Sequence, residues 1–460
     1  MQDAATKVRV KMESVGLSPA AIRAFLHQYE KLVGNETASI PEDSISPVAN
    51  LPMIDDQPMP GDTAKLAAQT VMLKLNGGLG TSMGLDKVKS LLQIRGKITF
   101  LDIIIRQALC LGSDVSGALL FMNSFSTSAD TLAALAKYPE LGNPKNLELI
   151  QNKVPKIDTE LLLPIDWPAN QSLEWCPPGH GDIYPSILGS GLLDRLLADG
   201  KKYLFVSNAD NLGATLDLWL LAFFAESGAP FLMEVTRRIG ADRKGGHLAI
   251  RKSNNQLLLR ELAQCPDADL NYFQDIDRHR YFNTNSLWIQ LDQLRTELDR
   301  GGGLLSLPLI QNVKTVDPRD KTSPKVYQLE TAMGAAIECF AGATAVEVPR
   351  SRFVPVKTTA DLLAIRSDAY ELDQKFRLLL RPERNGMPPI IWLDDRYKLV
   401  DAFEQLVARG VPSLLHCKTL SIEGNFQFEA GVEIVGDVKF VNPNPELKTI
   451  RSNKYENGSY

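Results

Sequence analysis

The sequence predicts an α/β protein with a mostly parallel or mixed central sheet and a short parallel β-helix at its C-terminal end. Between residues 71 and 226, apolar strand patterns alternate with helical patterns at the spacing of βα units. A glycine-rich stretch follows the first of these strands, at the kind of strand end where such sheets bind ligands. Near the C-terminus, apolar positions instead recur every six residues, which is typical of a left-handed parallel β-helix.

The composition is that of a globular protein with more than one domain. The chain has 460 residues, of which 44% are hydrophobic and 23% are charged. We expect an N-terminal helix and wrapping segment over 1–64, a sheet domain over 65–384, and a C-terminal domain over 385–460. The net charge of −5 gives no basic surface for nucleic acid, so an anionic partner must be bound by local positive charge.

Cysteine usage and hydropathy point to the cytoplasm. The five cysteines are scattered without CxxC spacing, which argues against a disulfide framework and against a zinc site. The N-terminal residues have no apolar targeting core, and the apolar runs over 100–111 and 216–225 are too short or too charged to span a bilayer. We therefore expect a cytoplasmic protein with no membrane partner.

An amphipathic helix is predicted near the N-terminus. Ser18 is a helix cap and Pro19 suits the first helical position, where its missing N–H costs nothing. Apolar residues then recur at helical spacing as far as Val33. The following segment, 36–62, holds five prolines and little periodicity, so we expect it to be a linker or a wrapping segment.

The glycine-rich stretch is the first candidate ligand site. An apolar strand over 71–75 leads into Asn76, Gly77, Gly78 and Gly80, and two lysines follow at 87 and 89. Glycine lets the backbone approach a ligand closely, and successive N–H groups can then bind phosphate. The spacing fits neither GxGxxG nor the P-loop, because Met83 stands where a glycine is needed and no Gly-Lys-Ser or Gly-Lys-Thr follows. The alternative is a strand-to-helix turn with a solvated lysine pair.

The βα units continue along the chain. We expect strands over 91–94, 117–122, 147–151 and 202–207, and helices over 99–109, 128–137, 186–198 and 216–226. Farther along, a strand pair over 248–251 and 257–262 resembles a hairpin, and helices are expected over 330–340 and 361–372.

Polar residues follow the strand over 202–207, where the sheet should present its ligand. Asn208, Asp210 and Asn211 emerge there, and Asp210 can hold Mg²⁺ together with substrate phosphates. The alternative is a turn rich in Asn and Asp that binds nothing. Lys357 ends a later strand pattern, where it is either a second phosphate ligand or a surface charge.

Two further segments have the composition of binding loops. Residues 175–182 read WCPPGHGD, in which rigid prolines and two glycines surround His180. A lone histidine is more often a structural hydrogen-bonding residue than a catalyst, so no general base is assigned. The run FNTNS over 282–286 supplies amides, which suit sugar hydroxyls because they both donate and accept.

The C-terminal period is short. Two interleaved series of apolar residues each repeat every six positions, for about one coil: Leu420, Phe426, Val432 and Val438, and Ile422, Phe428, Ile434 and Phe440. So small a coil cannot bury its own core, so we expect it to pack on the sheet domain or on another subunit, which allows a homo-oligomer.

Seven motifs resemble those of one enzyme family. They are LNGGLGTSMG over 75–84, MNSFST over 122–127, WCPPGHGD over 175–182, VSNADNLGAT over 206–215, FNTNSLW over 282–288, QLETAMGAA over 328–336 and VPRSRFVPVKTT over 348–359. Their types and order are similar to those of UTP:glucose-1-phosphate uridylyltransferases, also called UDP-glucose pyrophosphorylases. The short C-terminal β-helix also resembles the last domain of that family.

The resemblance implies a Rossmann-like nucleotidyltransferase core and a Mg²⁺-dependent reaction of UTP with glucose 1-phosphate. The glucose 1-phosphate attacks the α-phosphorus in line, giving UDP-glucose and pyrophosphate. The resemblance assigns Leu75, Asn76, Gly77, Gly78, Gly80, Lys89, Gln151, Gly179 and Asn208 to the nucleotide. It assigns His180, Asn208, Glu261, Asn285 and Lys357 to the sugar phosphate. Lys89 and Lys357 are then the catalytic lysines and Asp210 is the metal ligand.

The chain departs from the family pattern at two places. Lys87 and Val88 stand where relatives usually have Gly-Pro, and His247 replaces the threonine of a GGT motif. A relative that uses another hexose 1-phosphate, or a non-catalytic UDP-sugar-binding protein, is the alternative. A nicotinamide dehydrogenase is disfavoured by the failed GxGxxG spacing.

Overall fold

A ten-stranded mixed sheet forms the centre of the protein. The structure is a computed structural model that describes residues 2–36, 38–53, 62–80, 83–85, 87–112 and 118–460. In chain order, the strands of the central sheet are β1 (Ile45–Pro47), β2 (Thr70–Leu75), β3 (Leu119–Asn123), β4 (Glu148–Ile150), β5 (Tyr203–Asn208), β6 (Phe231–Arg237), β7 (His247–Arg251), β8 (Leu257–Arg260), β9 (Tyr281–Gln290) and β10 (Thr344–Glu347).

The sheet is parallel in one half and mixed in the other. Strands β5, β2, β3 and β4 lie side by side and run parallel. Strand β9 runs antiparallel to both β5 and β6, and β6 pairs in parallel with β10. On the other side, β7 joins the sheet antiparallel to β1, β8 and β9. The prediction of an α/β protein with a parallel or mixed central sheet is confirmed.

Both faces of the sheet are covered, which explains why three apolar residues, Val71, Met72 and Leu73, follow one another in β2. Val71 and Leu73 belong to one hydrophobic cluster, and Met72 belongs to the other. One face is covered by Phe100–Leu109 and Leu218–Ser227, and the opposite face by Ile183–Gly189, Leu192–Ala198 and Leu291–Arg300. A strand that is buried on both faces has no polar alternation, because neither face meets water.

Several predicted elements were wrong in type or extent. The helix over 186–198 is two helices, since Gly191 adopts a left-handed φ of +69° between them. The helix over 330–340 is the end of a strand, Lys325–Glu330, followed by a 3-10 helix, Met333–Cys339. The helix over 361–372 is Thr359–Arg366, and the chain then forms a strand, Tyr370–Leu372. The strand over 91–94 is a 3-10 turn and a short strand, Gln93–Arg95.

Other helix and hairpin predictions were confirmed. Thr99 caps the helix Phe100–Leu109 in a capping box with Asp102, and Ser128–Leu135 lies within the helix expected over 128–137. Strands β7 and β8 form the expected antiparallel pair. Residue 117 of the strand expected over 117–122 lies outside the described residues. The small sheets pair Gln93–Arg95 with Ile98–Thr99, Val154–Pro155 with Trp175–Cys176, Ile157–Asp158 with Lys325–Glu330 and Ile310–Thr315, and Tyr370–Leu372 with Leu378–Leu380.

The N-terminal segment is part of the sheet rather than a linker. Helix Gln2–Glu13 precedes helix Pro19–Val33, which Ser18 caps as predicted by accepting a hydrogen bond from Ala21 N. The chain then forms β1, which pairs with β7. Just before β1, the buried carboxylate of Glu42 accepts hydrogen bonds from Arg260 Nη1 and Arg278 Nε, each at 2.7 Å. Of the expected wrapping segment, residues 37 and 54–61 lie outside the described part of the chain.

Parallel strands stack at the C-terminus. Ile390–Leu393, Ser413–Glu423, Glu433–Val441 and Lys454–Ser459 pair in that order, and Phe426–Phe428 pairs with Lys448–Ile450. Leu420 pairs with Val438, eighteen residues or three six-residue steps later. Every one of the eight periodic apolar residues is buried. The stack is four strands deep, which is more than the single coil that the period predicted. In the sequence, helix Val400–Leu406 connects the first two strands of the stack.

No helix in the described part of the chain is long and apolar enough to cross a bilayer.

Candidate functional site

The candidate site lies at the carboxyl ends of β2 and β5. These strands are parallel neighbours, and Leu75 and Asn208 are partners at their ends. The glycine loop that follows β2 and the turn that follows β5 therefore leave the sheet at the same edge. Ligands bind at such edges in sheets of this kind.

The glycine loop is held by its neighbours at a few points. Asn76 is buried and donates hydrogen bonds to Asn123 Oδ1 at 2.8 Å and Thr131 Oγ1 at 3.0 Å, so its side chain supports the loop from behind. A Cβ on Gly77 would lie 2.8 Å from Gln151 Oε1. Gly80 has a left-handed φ of +69°. A Cβ on Gly78 would meet no described atom within 4 Å, so this glycine faces open space. Residues 81, 82 and 86 lie outside the described part of the chain.

Asp210 joins two lysines that come from distant parts of the chain. Its Oδ2 accepts from Lys89 Nζ at 2.8 Å and from Lys357 Nζ at 2.7 Å. The Asp210 side chain is 14% exposed. Burial alone would raise the pKa of Asp210, but Lys357 and Lys89 outweigh it and lower the pKa below its ordinary value. The carboxylate is therefore ionised at neutral pH. Lys87, the other lysine of the loop, is exposed.

The second oxygen of Asp210 is suited to a metal ion. Asp210 Oδ1 is buried and has no hydrogen-bond partner among the described residues. An orphaned buried carboxylate oxygen is costly unless a cation or donor binds it. The described residues contain no cluster of three or more His, Cys, Asp or Glu side chains that could form a metal site alone. A hard cation at Asp210 would thus take its other ligands from phosphates and water, as Mg²⁺ commonly does.

The loop that carries His180 is fastened to residue 331. Gly181 N donates to Thr331 O at 2.8 Å, and Thr331 N donates to Pro178 O at 2.9 Å. Gly179 has a φ of +79° and sits so close that a Cβ there would lie 2.5 Å from Thr331 O. Gln151 Nε2 donates to Gly179 O at 2.8 Å, so Gln151 connects this loop with the glycine loop.

His180 is a neutral hydrogen-bond donor. Its Nδ1 accepts from Met333 N at 2.9 Å, which places the ring proton on Nε2. Burial, assisted by Lys357, lowers the pKa of His180 to about 4. A histidine with so low a pKa is a poor base at neutral pH, which agrees with the sequence interpretation that assigns it no such role.

Asn285 and Glu261 lie in a second group of polar residues. Asn285 has a left-handed φ of +58° in a bulge of β9, where the register against β6 shifts. Asn283 Nδ2 donates to Asn285 Oδ1 at 3.0 Å and so orients it. A Cβ on Gly246 would lie 2.5 Å from Glu261 Oε2, and burial raises the pKa of Glu261. Asn283 N donates to Gly246 O at 3.3 Å, which connects the two.

His247 does not face this group. It is fully buried, and its ring stacks on His279 with centroids 3.9 Å apart. The departure of the sequence at residue 247 therefore concerns packing behind the site.

Comparison with known proteins identifies the family. The family model described as UTP--glucose-1-phosphate uridylyltransferase matches residues 22–435. The chain belongs to this family. The Solanum tuberosum UTP--glucose-1-phosphate uridylyltransferase is 40% identical over 406 residues, covering 87% of this chain and 80% of the relative. The Saccharomyces cerevisiae enzyme of the same name is 40% identical over 397 residues, covering 86% and 77%.

Solved structures from two organisms are similar to the whole chain. UDP-glucose pyrophosphorylase from Leishmania major is 46% identical, with a TM-score of 0.93, and the match covers 100% of this chain and 99% of that one. A point mutant of that protein, solved in complex with UDP-glucose, gives a TM-score of 0.94 at 45% identity, with 100% and 99% covered. A Trypanosoma brucei protein described as UDP-glucose phosphorylase is 47% identical, with a TM-score of 0.91 and 99% of each chain covered.

Two residues that hold candidate site residues of this uridylyltransferase family member in place were not identified from the sequence. Thr331 fastens the His180 loop with its main chain, and Asn283 orients Asn285. The motif over 282–286 contained a signal for Asn283. Thr331 lies within the motif over 328–336, but its residue type gives no sign that its main chain holds the His180 loop. Asn211, which was expected in front of the ligand beside Asp210, is buried.

Gly179→Ala is expected to destabilise this uridylyltransferase family member by about 2 to 4 kcal/mol. Alanine is strained at the left-handed φ of residue 179, and its methyl group would also clash with Thr331 O. Gly191→Ala is the matched control, since Gly191 has a φ of +69° and open space at Cβ, and it should cost only about 1 kcal/mol. Chemical denaturation measures both. Equal losses would mean that the contact with Thr331 is not tight.

Because of His180, the free energy of unfolding should decrease at acidic pH. Because its folded pKa of about 4 lies below the ordinary value of 6.5, the unfolded chain binds the extra proton first as pH falls from 6.5 to 4. The contribution of His180 to the free energy of unfolding should therefore drop by about 2 kcal/mol between pH 7 and pH 5. Urea denaturation of the wild type and of His180→Gln at both pH values measures the difference. Parallel pH profiles would contradict it.

Proposed function

We propose that the protein transfers the uridylyl group of UTP to glucose 1-phosphate, giving UDP-glucose and pyrophosphate. A phosphate oxygen of the sugar attacks the α-phosphorus of UTP, and the bond between that phosphorus and the oxygen bridging to the β-phosphorus breaks. The observation that carries the proposal is the Asp210 carboxylate, held by Lys89 and Lys357 at the sheet edge beside the glycine loop. Membership in the uridylyltransferase family supports the same reaction.

Charge is the main obstacle to this reaction. UTP carries about four negative charges and the sugar phosphate about two, and each close pair of like charges costs roughly 4 kcal/mol at an effective dielectric near 20. Lys89 and Lys357 would offset much of that repulsion, and the attacking phosphate is already ionised, so no general base is required. Mg²⁺, with Asp210 Oδ1 as its protein ligand, would add charge neutralisation when bound.

The remaining site residues are assigned to the two substrates. Leu75, Asn76, Gly77, Gly78 and Gly80 would shape the phosphate cradle with Lys89, and Asn208 would contact both substrates. Gln151 and Gly179 would bind the uracil, a role supported by the hydrogen bond that connects them. The Nε2–H of His180, which its tautomer leaves as a donor, would bind phosphate. Asn285 and Glu261 would bind the sugar hydroxyls.

The direct test is pyrophosphate release from UTP and Mg²⁺ with glucose 1-phosphate, beside galactose 1-phosphate and N-acetylglucosamine 1-phosphate. We expect release with a clear preference for glucose 1-phosphate. Preference for another sugar would support uridylyl transfer but contradict the assignment of glucose specificity to Asn285 and Glu261. Binding of UDP-glucose with no release from any sugar by folded protein would overturn the catalytic proposal.

We also propose that the C-terminal strand stack is a short left-handed β-helix through which two copies of the chain associate. Its first strand lies at the edge of the stack and exposes apolar side chains, with Ile390 51% and Trp392 56% accessible. Light scattering after size-exclusion chromatography tests this, and a monomer at micromolar concentration would contradict it. The unpaired cysteines of the described chain agree with the proposal that the protein acts in the cytoplasm.

A further inference from the structure

Asn211 connects the two chain segments that carry Asp210 and Lys357. It follows Asp210 directly and is 1% exposed. Its Oδ1 accepts from Val354 N at 2.9 Å and from Gly213 N at 3.2 Å. Its Nδ2 donates to Arg352 O at 3.1 Å. One side chain thus satisfies main-chain groups of both segments, and each bond is buried or partly buried.

Main-chain contacts make the same junction tight. Val356 N donates to Asp210 O at 3.1 Å, one residue before Lys357. A Cβ on Gly213 would lie 2.4 Å from Ser351 O, so the two backbones touch there. Behind the junction, the buried guanidinium of Arg352 is paired with Glu234, with Nε to Oε2 at 2.7 Å.

We propose that Asn211 is a positioning residue that fixes the ammonium of Lys357 relative to the Asp210 carboxylate. The assignment rests on the proposed function of the two charged groups. Asp210 and Lys357 are 147 residues apart, so no local structure sets their distance. Lys357 is also 56% exposed, so its own surroundings constrain it little. The register between the two segments must therefore place its backbone, and Asn211 is the side chain that sets that register.

Two independent substitutions disturb this junction. Asn211→Ala removes the three hydrogen bonds, and Gly213→Ala forces the backbones apart. Each should lower kcat for UDP-glucose formation by about 10²-fold while changing KM for UTP less than about threefold, because a small misplacement of a charged group costs mainly turnover. The variants should also need more Mg²⁺ for half-maximal activity.

The C-terminal strand stack offers matched controls. Asn442 is buried, and its side chain also makes three hydrogen bonds with main-chain groups, those of Asn425, Glu446 and Asn444. A Cβ on Gly410 would lie 2.6 Å from Ala430 Cα. Asn442→Ala and Gly410→Ala should lower the melting temperature as much as the corresponding site variants, yet leave kcat within about twofold.

A double-mutant cycle separates positioning from general support. In a Lys357→Ala background the ammonium is gone, so adding Asn211→Ala should lower kcat less than about threefold further. A full additional 10²-fold loss would overturn the proposal, as would site variants whose kcat equals that of the wild type or of the controls. If the wild type itself makes no UDP-glucose, the proposed function fails. The positioning proposal is then tested by the UTP-induced rise in melting temperature, which Gly213→Ala should change. An unchanged shift would overturn it there.

Discussion

Asp210→Asn is expected to lower kcat for UDP-glucose formation by about 10³-fold or more. The substitution keeps the shape of the side chain but removes the only negative charge that Lys89 and Lys357 share among the described ion pairs. The two ammonium groups then repel each other and separate, so they no longer meet the developing charge together. The amide also weakens the proposed metal ligand at Oδ1, because a neutral oxygen holds Mg²⁺ less well than a carboxylate.

Steady-state kinetics with UTP and glucose 1-phosphate over a Mg²⁺ series measure this effect. Glu174→Gln is the matched control. Glu174 is also a buried carboxylate with a lysine partner, since its Oε2 lies 2.5 Å from Lys11 Nζ, and neither residue belongs to the candidate site. It should cost stability and leave kcat nearly unchanged. If Asp210→Asn retained more than about a tenth of the wild-type kcat, Asp210 would have no central role in turnover.

Lys357→Ala should lower kcat by about 10² to 10³-fold with little loss of stability. Its side chain is half exposed, so removing it opens no cavity, and Asp210 keeps its ion pair with Lys89. The loss in turnover reflects transition-state charge that a single lysine no longer balances. Lys357→Arg should recover part of the activity, because the charge returns with a different shape.

Lys7→Ala provides the comparison for Lys357→Ala. Lys7 also pairs with an aspartate, Asp3, and its side chain is 54% exposed against 56% for Lys357. Both variants should melt within about 2 °C of the wild type. The Lys7–Asp3 pair is exposed and contributes little to stability, and the buried Asp210 keeps Lys89 as its partner when Lys357 is removed. An unchanged kcat in Lys357→Ala would refute the role of this lysine, and a large drop in melting temperature would show that it is structural.

The strands and loops that present the candidate site were largely predictable from the sequence. The successive apolar residues Val71, Met72 and Leu73 marked a buried strand, and the glycine loop after it marked a strand end. Asp210 follows β5 in the same way, and parallel neighbours place their carboxyl ends together. Local pattern and general topology were therefore enough to bring Asp210 near Gly77 and Gly78.

Contacts between distant segments were not predictable from local pattern. The partnership of Lys357 with Asp210 was suggested only by family resemblance, because a lysine at a strand end is equally suited to solvent. Asn211 looked like a ligand residue, but it faces inward because main-chain groups of residues 352–354 lie behind it. The prediction of one helix over 186–198 was wrong for a local reason. The apolar residues keep helical spacing across Gly191, so the pattern gives no sign of its left-handed φ.

The N-terminal segment has a consequence for the order in which the chain can fold during synthesis. Strand β1 pairs with β7, and Glu42 binds Arg260 and Arg278, so its partners are made more than 200 residues later. On the ribosome, β1 must stay unpaired until β7 has been translated. A chain that lacked its first 48 residues would bury the guanidinium of Arg260 without Glu42. The N-terminal segment can therefore join the sheet only after residues 247–278 have been made.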